Sequence, residues 1–149
     1  MRLTRFTDYS LRVLIYLGLS PGRATIPEIT AAYGISRNHL LKVVRALADA
    51  GYITTRQGKG GGIALARPPA EIGIGEVVRD TEETLAPAEC MRPGGEPCRI
   101  GPDCRLAGVF REAQEGFLAT LDRYTLADLL APGTATLLGL GPAGGPSRR

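Results

Sequence analysis

Tryptophan is absent from this chain of 149 residues, histidine occurs once, and aromatic residues make up only 5% of the sequence. No segment pairs a nucleophile with a general base, and the one histidine, His39, lies among basic residues, so the sequence does not predict an enzyme. No uninterrupted apolar run approaches the ~20 residues that a membrane-spanning helix needs. The 44% of hydrophobic residues therefore predicts one modest, mainly aliphatic core and no contact with a membrane.

Cysteine is equally scarce, and all three cysteines fall in one Gly/Pro-rich stretch, CMRPGGEPCRIGPDC, which runs from Cys90 through Cys98 to Cys104. An odd number of cysteines cannot complete a disulfide framework. The first residues, MRLTRFTDYSLRVLIYL, are charged and patterned like a helix rather than like a signal peptide, so a cytoplasmic protein is predicted. Because lasting disulfides are uncommon in that compartment, the thiols are expected to bind metal or to act in redox chemistry.

Basic and acidic residues are divided unevenly along the chain. Residues 1–67 carry ten Lys or Arg against three acids, a balance of +7, whereas the remaining residues carry eight against twelve, a balance of −4. This asymmetry predicts an N-terminal half that faces a polyanion and a C-terminal half with a different task. An ordinary solvated surface is the alternative interpretation.

The periodicity of apolar residues predicts a mainly α-helical fold with one small β-hairpin. Three helical segments come first, and two short strand-like runs, YITT and GIAL, follow them around a basic, glycine-rich tip, RQGKGG. Ser36 is a good N-cap for the third helix and Gly51 a good residue to follow its end. Helix, helix, turn, helix and hairpin is the order of a winged helix-turn-helix. The helices are predicted at 3–19, 25–35 and 36–51, and the strands at 52–55 and 62–65.

The chain as a whole is predicted to contain five segments. They are a winged helix-turn-helix region (1–67), a connecting helix (68–89), a cysteine loop (90–104), a long helix (104–131) and a disordered Gly/Pro-rich tail (132–149). Apolar residues of the long helix recur at steps of three and four, which predicts a seam that pairs with a second copy of the chain. Packing within one chain is the alternative. The seam residues are Leu106, Phe110, Ala113, Phe117, Leu121 and Tyr124.

The third helix has the pattern of a DNA recognition helix, which buries one face and presents the other to the major groove. Leu40, Val44 and Leu47 form its inward stripe. Arginine and asparagine make bidentate contacts with guanine and adenine edges, whereas Lys42 and Arg45 are predicted to meet phosphates. A winged fold used for protein contacts is the alternative. The residues predicted to contact double-stranded operator DNA are Ser36, Arg37, Asn38, His39, Lys42, Arg45, Arg56, Gln57 and Lys59.

The cysteine spacing, C-x7-C-x5-C, lacks the closely spaced cysteine pairs that are typical of structural zinc sites. Wide spacing on a flexible loop suits an iron–sulfur cluster, because its thiolates must reach around several iron atoms. Neighbouring arginines also favour the thiolate form. An iron–sulfur cluster is therefore predicted. The spacing does not distinguish cluster types; of the two, [4Fe-4S] is favoured over [2Fe-2S]. Zinc and a thiol–disulfide switch are the alternatives that the residues leave open.

Six stretches of the chain carry motifs of one family: FTDYSLRVLIYL, GISRNHLLKVV, AGYITTRQGKGGGIALARP, IGIGEVVRDTE, PDCRL and FLATLDRYTLADLL. With the three cysteines, they resemble the iron–sulfur winged-helix regulators, the family that contains IscR, and within it the NsrR branch of nitric-oxide-sensitive repressors. The resemblance spans about residues 1–130. It implies a homodimer on a palindromic operator, with one cluster per protomer held by Cys90, Cys98 and Cys104. It also implies repression of nitric-oxide detoxification genes, relieved when nitric oxide attacks the cluster.

Two departures from the family pattern concern the ligands of the cluster. The first cysteine gap is longer than usual, but the extra length falls in MRPGGEP, a flexible loop that can absorb it. Ala107 stands where IscR-like members place a histidine ligand. In the NsrR branch an aspartate near the start of the first helix, here Asp8, is implicated as the fourth ligand, from the partner protomer. On the residues alone, Asp8 is a helix N-terminal acid or an ion-pair partner of Arg12.

Overall fold

The computed structural model describes residues 2–140, which form six α-helices, four short 3-10 helices and one antiparallel hairpin. This is the expected mainly α-helical winged helix-turn-helix with a long C-terminal helix. None of the helices in the described range is long and apolar enough to cross a membrane. In chain order the main elements are α1 (Arg5–Leu19), α2 (Ile26–Tyr33), α3 (Arg37–Asp49), β1 (Ile53–Arg56), β2 (Gly62–Leu65), α4 (Ile74–Thr81), α5 (Arg105–Leu121) and α6 (Pro132–Leu137).

Side-chain caps fix where the two helices of the helix-turn-helix begin and end. Thr25 and Glu28 form a reciprocal capping box at the start of α2. Gly34 then ends α2 in the left-handed conformation, with φ of 65°, which glycine adopts without steric cost. The hydroxyl of Ser36 accepts a hydrogen bond from the backbone N–H of His39 and starts α3. These signals set the tight turn that orients α3 against α2.

The core lies between α1 and α3 and is closed by α4 and the hairpin. Tyr52, at the base of the hairpin, is fully buried and donates its hydroxyl proton to the Asp80 carboxylate of α4 at 2.6 Å. Burial, reinforced by this hydrogen bond, raises the pKa of Tyr52 far above its usual range, so the phenol stays protonated. The guanidinium of Arg67 lies 4.9 Å from the centre of the Tyr52 ring. These contacts tie the hairpin to α4.

The C-terminal end of α5 is fastened to α4. Arg79 and Asp122 form a bidentate ion pair with two N–O distances of 2.6 Å, and its hydrogen bonds hold the pKa of Asp122 below its usual range. The Ile74 amide also donates to the Tyr124 carbonyl at 3.0 Å. A side chain on Gly75 would collide with the Asp122 carboxylate, so glycine permits this close approach. The α4–α5 contact therefore fixes one end of the long helix.

Two expectations about the C-terminal segments are wrong. The long helix does not run through residues 104–131: α5 ends at Leu121, and a 3-10 helix follows at Leu126–Leu129. The predicted disordered tail begins too early, because residues 132–137 form α6. Apolar contact outweighs the Gly/Pro-rich composition here, since Leu130, Leu138 and Leu140 pack against the core. Residues 141–149 of the predicted tail lie outside the described residues.

Candidate functional site

All three cysteines line one cavity of about 550 Å³ between the loop and the first turns of α5. Cys90 and Cys98 are exposed, Cys104 is half-buried as the N-cap residue of α5, and all three are free thiols. The three cysteines that the sequence analysis selects thus share one cavity. The other residues of the cavity wall are Met91, Pro97, Gly101, Pro102, Ala107, Arg111 and Gln114.

One face of α5 supplies a continuous part of this wall. Cys104, Ala107, Arg111 and Gln114 follow one another at steps of three, four and three residues, which places them on the same side of the helix. Ala107 offers no donor atom, whereas Arg111 brings a positive charge to a cavity lined by thiols. The sequence reasoning missed Arg111 and Gln114, although the helical spacing from Cys104 was available to find them.

The ligand type of the cavity, thiolate, fits an iron–sulfur cluster, but three cysteines are one fewer than the usual four. Thiolates are the usual ligands of such clusters, most often four of them, and the cavity has room for a group of several atoms. No three His, Cys, Asp or Glu side chains within residues 2–140 lie close enough together to hold a single metal ion. The chain thus offers three thiol ligands around one space, and a fourth ligand has to come from another group.

Asp8 lies in the first turn of α1, where its carboxylate pairs with Arg12 one turn later. The Arg12 Nε atom is 3.0 Å from Oδ2 and 3.1 Å from Oδ1. Both side chains are 46% exposed, and a surface pair of this kind stabilises a fold by only about 0–1 kcal/mol. Asp8 is not among the described residues that line the cysteine cavity of its own chain. A role as ligand would therefore need the carboxylate to reach the cavity of a second protomer.

The recognition helix presents the residues that the sequence analysis selects. Leu40, Val44 and Leu47 are buried as expected, and Val43 is buried with them. The hydroxyl of Ser36 also lies 3.0 Å from the Nδ1 atom of His39, whose ring is 5.9 Å from that of Tyr9 on α1. His39 thus has local structural contacts as well as exposure. The exposed residues of this face are Ser36, Arg37, Asn38, His39, Lys42 and Arg45.

The hairpin tip lies beside this face. Arg56 ends β1, Gln57 follows it, and both line one groove with Arg37 of the recognition helix. Lys59 lies in the turn at the tip, where it is exposed between two glycines with positive φ angles, Gly58 and Gly60. The structure thus joins the helix and the hairpin into one cationic surface.

One part of the exposed surface of α5 is apolar. No residue of α5 is buried in the described chain, and Leu106 and Val109 are 54% and 58% exposed. Ile100, just before the helix, is 64% exposed. The sequence analysis missed Val109 and Ile100, which enlarge the predicted seam. Of the seam residues, Ala113 and Tyr124 are also exposed, Phe110 and Phe117 are half-buried, and Leu121 packs against the core of its own chain.

Several solved structures have a similar fold. The structure of CymR (YrzC), the global cysteine regulator of B. subtilis, aligns with a TM-score of 0.62 at 25% sequence identity, covering 87% of this chain and 96% of that chain. T. potens IscR aligns with a TM-score of 0.68 at 23% identity, covering 87% of this chain and 86% of that chain. The likeness to IscR shows the fold alone.

Sequence comparison agrees with the fold. The chain is 51% identical over 132 residues to the HTH-type transcriptional regulator NsrR of Geobacillus kaustophilus (strain HTA426), an alignment that covers 87% of this chain and 90% of that protein. Residues 3–132 match the Rrf2 family, described as an iron-dependent transcriptional regulator. The family resemblance found in the motifs is confirmed, as is the expectation that the protein is not an enzyme. The chain belongs to the Rrf2 family of transcriptional regulators.

Proposed function

We propose that this regulator is a nitric-oxide-sensing repressor. It binds palindromic operator DNA in the cytoplasm as a homodimer with one [4Fe-4S] cluster per protomer, and it releases the DNA when nitric oxide attacks the cluster. The observation that carries the proposal is the single cavity lined by all three free cysteines, in a chain 51% identical to a regulator named NsrR. The cluster, when bound, would supply iron that reacts with nitric oxide. The residues of the chain would hold the cluster and bind the DNA.

The cavity residues divide this task between them. Cys90, Cys98 and Cys104 hold the cluster, two from the loop and one from the start of α5. Arg111 offsets the negative charge that three thiolates bring, which favours retention of the cluster. Ala107 brings no donor atom to this wall, so the three thiolates would be the strongest ligands that the cavity offers the cluster. This arrangement supports a site that is stable enough to assemble and reactive enough to sense.

The DNA-binding task falls to α3 and the hairpin. Arg37 and Asn38 lie at the start of α3, the part of a recognition helix that reaches base edges. Lys42 and Arg45 on α3 and Lys59 on the hairpin tip contact phosphates. The remaining predicted contacts are Ser36, His39, Arg56 and Gln57. A second copy of the chain joined along α5 supplies the second half-site.

Hydrogen bonds between α1 and the segment after α4 connect the cysteine loop with the DNA-binding helices. Both the amide and the hydroxyl of Thr4, at the start of α1, donate to the Glu82 carboxylate just after α4, at 2.6 Å and 3.0 Å. The segment that follows Glu82 leads directly to the cysteine loop. Loss of the cluster would therefore alter a segment that is attached to α1, and α1 packs against the recognition helix. We expect this change to shift the population of dimers away from the geometry that fits the operator.

The test is anaerobic purification followed by absorption and mass spectra before and after addition of nitric oxide. A brown protein with iron and acid-labile sulfide, which retards a selected operator duplex and releases it after nitric oxide, is the expected result. A colourless protein that contains zinc, or whose DNA binding responds to thiol oxidation only, would establish the alternative of a zinc-binding or thiol-switch regulator. A protein that retards no duplex would contradict both.

Asp8→Ala is expected to keep a cluster but to change its absorption spectrum and to weaken the response of DNA binding to nitric oxide. A carboxylate is a hard ligand that binds iron weakly, so the three thiolates can hold the cluster without it. Arg12→Ala is the matched control, because it removes the same ion pair and leaves the carboxylate in place. If Asp8→Ala and Arg12→Ala behave alike, the role of Asp8 is the ion pair rather than ligation.

A further inference from the structure

Leu41 is the one large apolar side chain that is exposed within residues 2–67, with 41% of its surface accessible. It lies on α3, one turn after Arg37 and one turn before Arg45, so the three residues form one strip of the helix. It does not belong to the hydrophobic core or to the side chains packed against that core. The recognition surface thus contains an apolar residue that the fold does not use.

The surroundings of Leu41 indicate what it meets. It lines a groove of about 390 Å³ between α3 and the hairpin. Arg37 and Arg56 lie on opposite walls of this groove, and apolar residues such as Ile26 and Val44 line part of it. Lys42 follows Leu41 on the exposed side of α3. Arginines on both walls favour a polyanion, and the apolar residues beside them favour a polyanion that also presents an apolar group. The occupant of this groove that the charges favour is therefore DNA.

Within the DNA major groove, one group is apolar and marks sequence: the 5-methyl group of thymine. We propose that Leu41 contacts a thymine methyl group in each half-site and is a specificity-determining residue of the operator complex. The inference rests on the DNA binding in the proposed function and adds a rule for sequence preference. The arginines on the same strip bring the helix to the duplex, and Leu41 then selects thymine at the position it faces.

Uracil provides the test, because it pairs like thymine and lacks only the methyl group. The probes are duplexes selected from a random pool by the anaerobically purified protein, resynthesised with each thymine replaced singly by uracil. The parent protein is expected to bind about fourfold more weakly when the thymine that faces Leu41 in one half-site is replaced. That is the effect of losing one buried methyl group. Leu41→Ala should bring that ratio to about one, and Leu41→Met should keep most of it.

Lys42→Ala is the matched control on the neighbouring position. It should weaken binding to thymine and uracil probes equally, because a phosphate contact does not depend on the base. The inference is overturned if Leu41→Ala keeps the parent ratio, or if no thymine replacement weakens binding of the parent. Failure of the parent to select any duplex would instead contradict the proposed function and this inference with it. Since Leu41 is exposed, unchanged iron content and circular dichroism are expected for its variants.

Discussion

Cys98→Ala is expected to abolish cluster assembly, leaving a colourless protein with almost no iron or acid-labile sulfide after anaerobic purification. Cys98 is one of only three thiols that line the cavity, and its removal leaves two. Loss of an outer partner of a metal ligand already lowers affinity by about 10–100-fold, so loss of a ligand itself costs more. Alanine is the right replacement, because a serine oxygen could still approach iron.

The structure also supplies the control for this variant. Arg99 is the next residue, is equally exposed and does not line the cavity, so Arg99→Ala should retain the cluster of the parent. Because Cys98 is exposed, its replacement opens no hole in the core, and the circular dichroism of both variants should match the parent. DNA binding by Cys98→Ala should no longer respond to nitric oxide. Parent levels of iron and sulfide in Cys98→Ala would contradict the assignment of the cavity.

Val109→Glu is expected to convert the proposed dimer into a monomer. Val109 is 58% exposed, next to Leu106, on the apolar side of a helix that buries no residue within its own described chain. A carboxylate placed in a closed apolar seam loses its hydration without a partner, which disfavours association strongly. Sedimentation or light scattering at micromolar concentration should give the chain mass of 15.8 kDa in place of twice that value.

The consequence for DNA is equally large. A monomer contacts one half-site, so operator affinity should fall by at least about a hundredfold, as expected when two linked contacts become one. Ala119→Glu is the control, since it adds the same charge to an exposed position of α5 away from the seam. It should remain dimeric. A dimeric Val109→Glu would show that α5 is not the dimer contact and that its apolar side has another partner.

Local signals in the sequence were sufficient for the DNA-binding part of the fold. Ser36 and Gly34 mark the turn before α3 by capping chemistry, and the spacing of Leu40, Val44 and Leu47 sets its buried side. Each of these signals acts within a few residues of the chain. The winged helix-turn-helix could therefore be predicted with the correct order of elements.

Other features depend on how distant segments meet and could not be predicted in the same way. The ion pair of Arg79 and Asp122 joins residues 43 positions apart, and no local pattern links them. The docking of residues 132–140 depends on leucines that find the surface of α1, a contact that composition does not reveal.

Because α5 is held to α4 at its C-terminal end, a displacement of its N-terminal end is a rotation about that contact. The 17 residues of α5 span about 25 Å from the ion pair of Arg79 and Asp122 to Cys104, which lines the cavity. A displacement of about 2 Å at the cavity then corresponds to a rotation of α5 by about 5° around this ion pair. In each protomer of the proposed dimer, α4 joins this ion pair to α1, so we expect the DNA-binding part to turn rather than to slide. We therefore expect a displacement of about 2 Å at the thiols to change the angle at which the recognition helices meet the DNA.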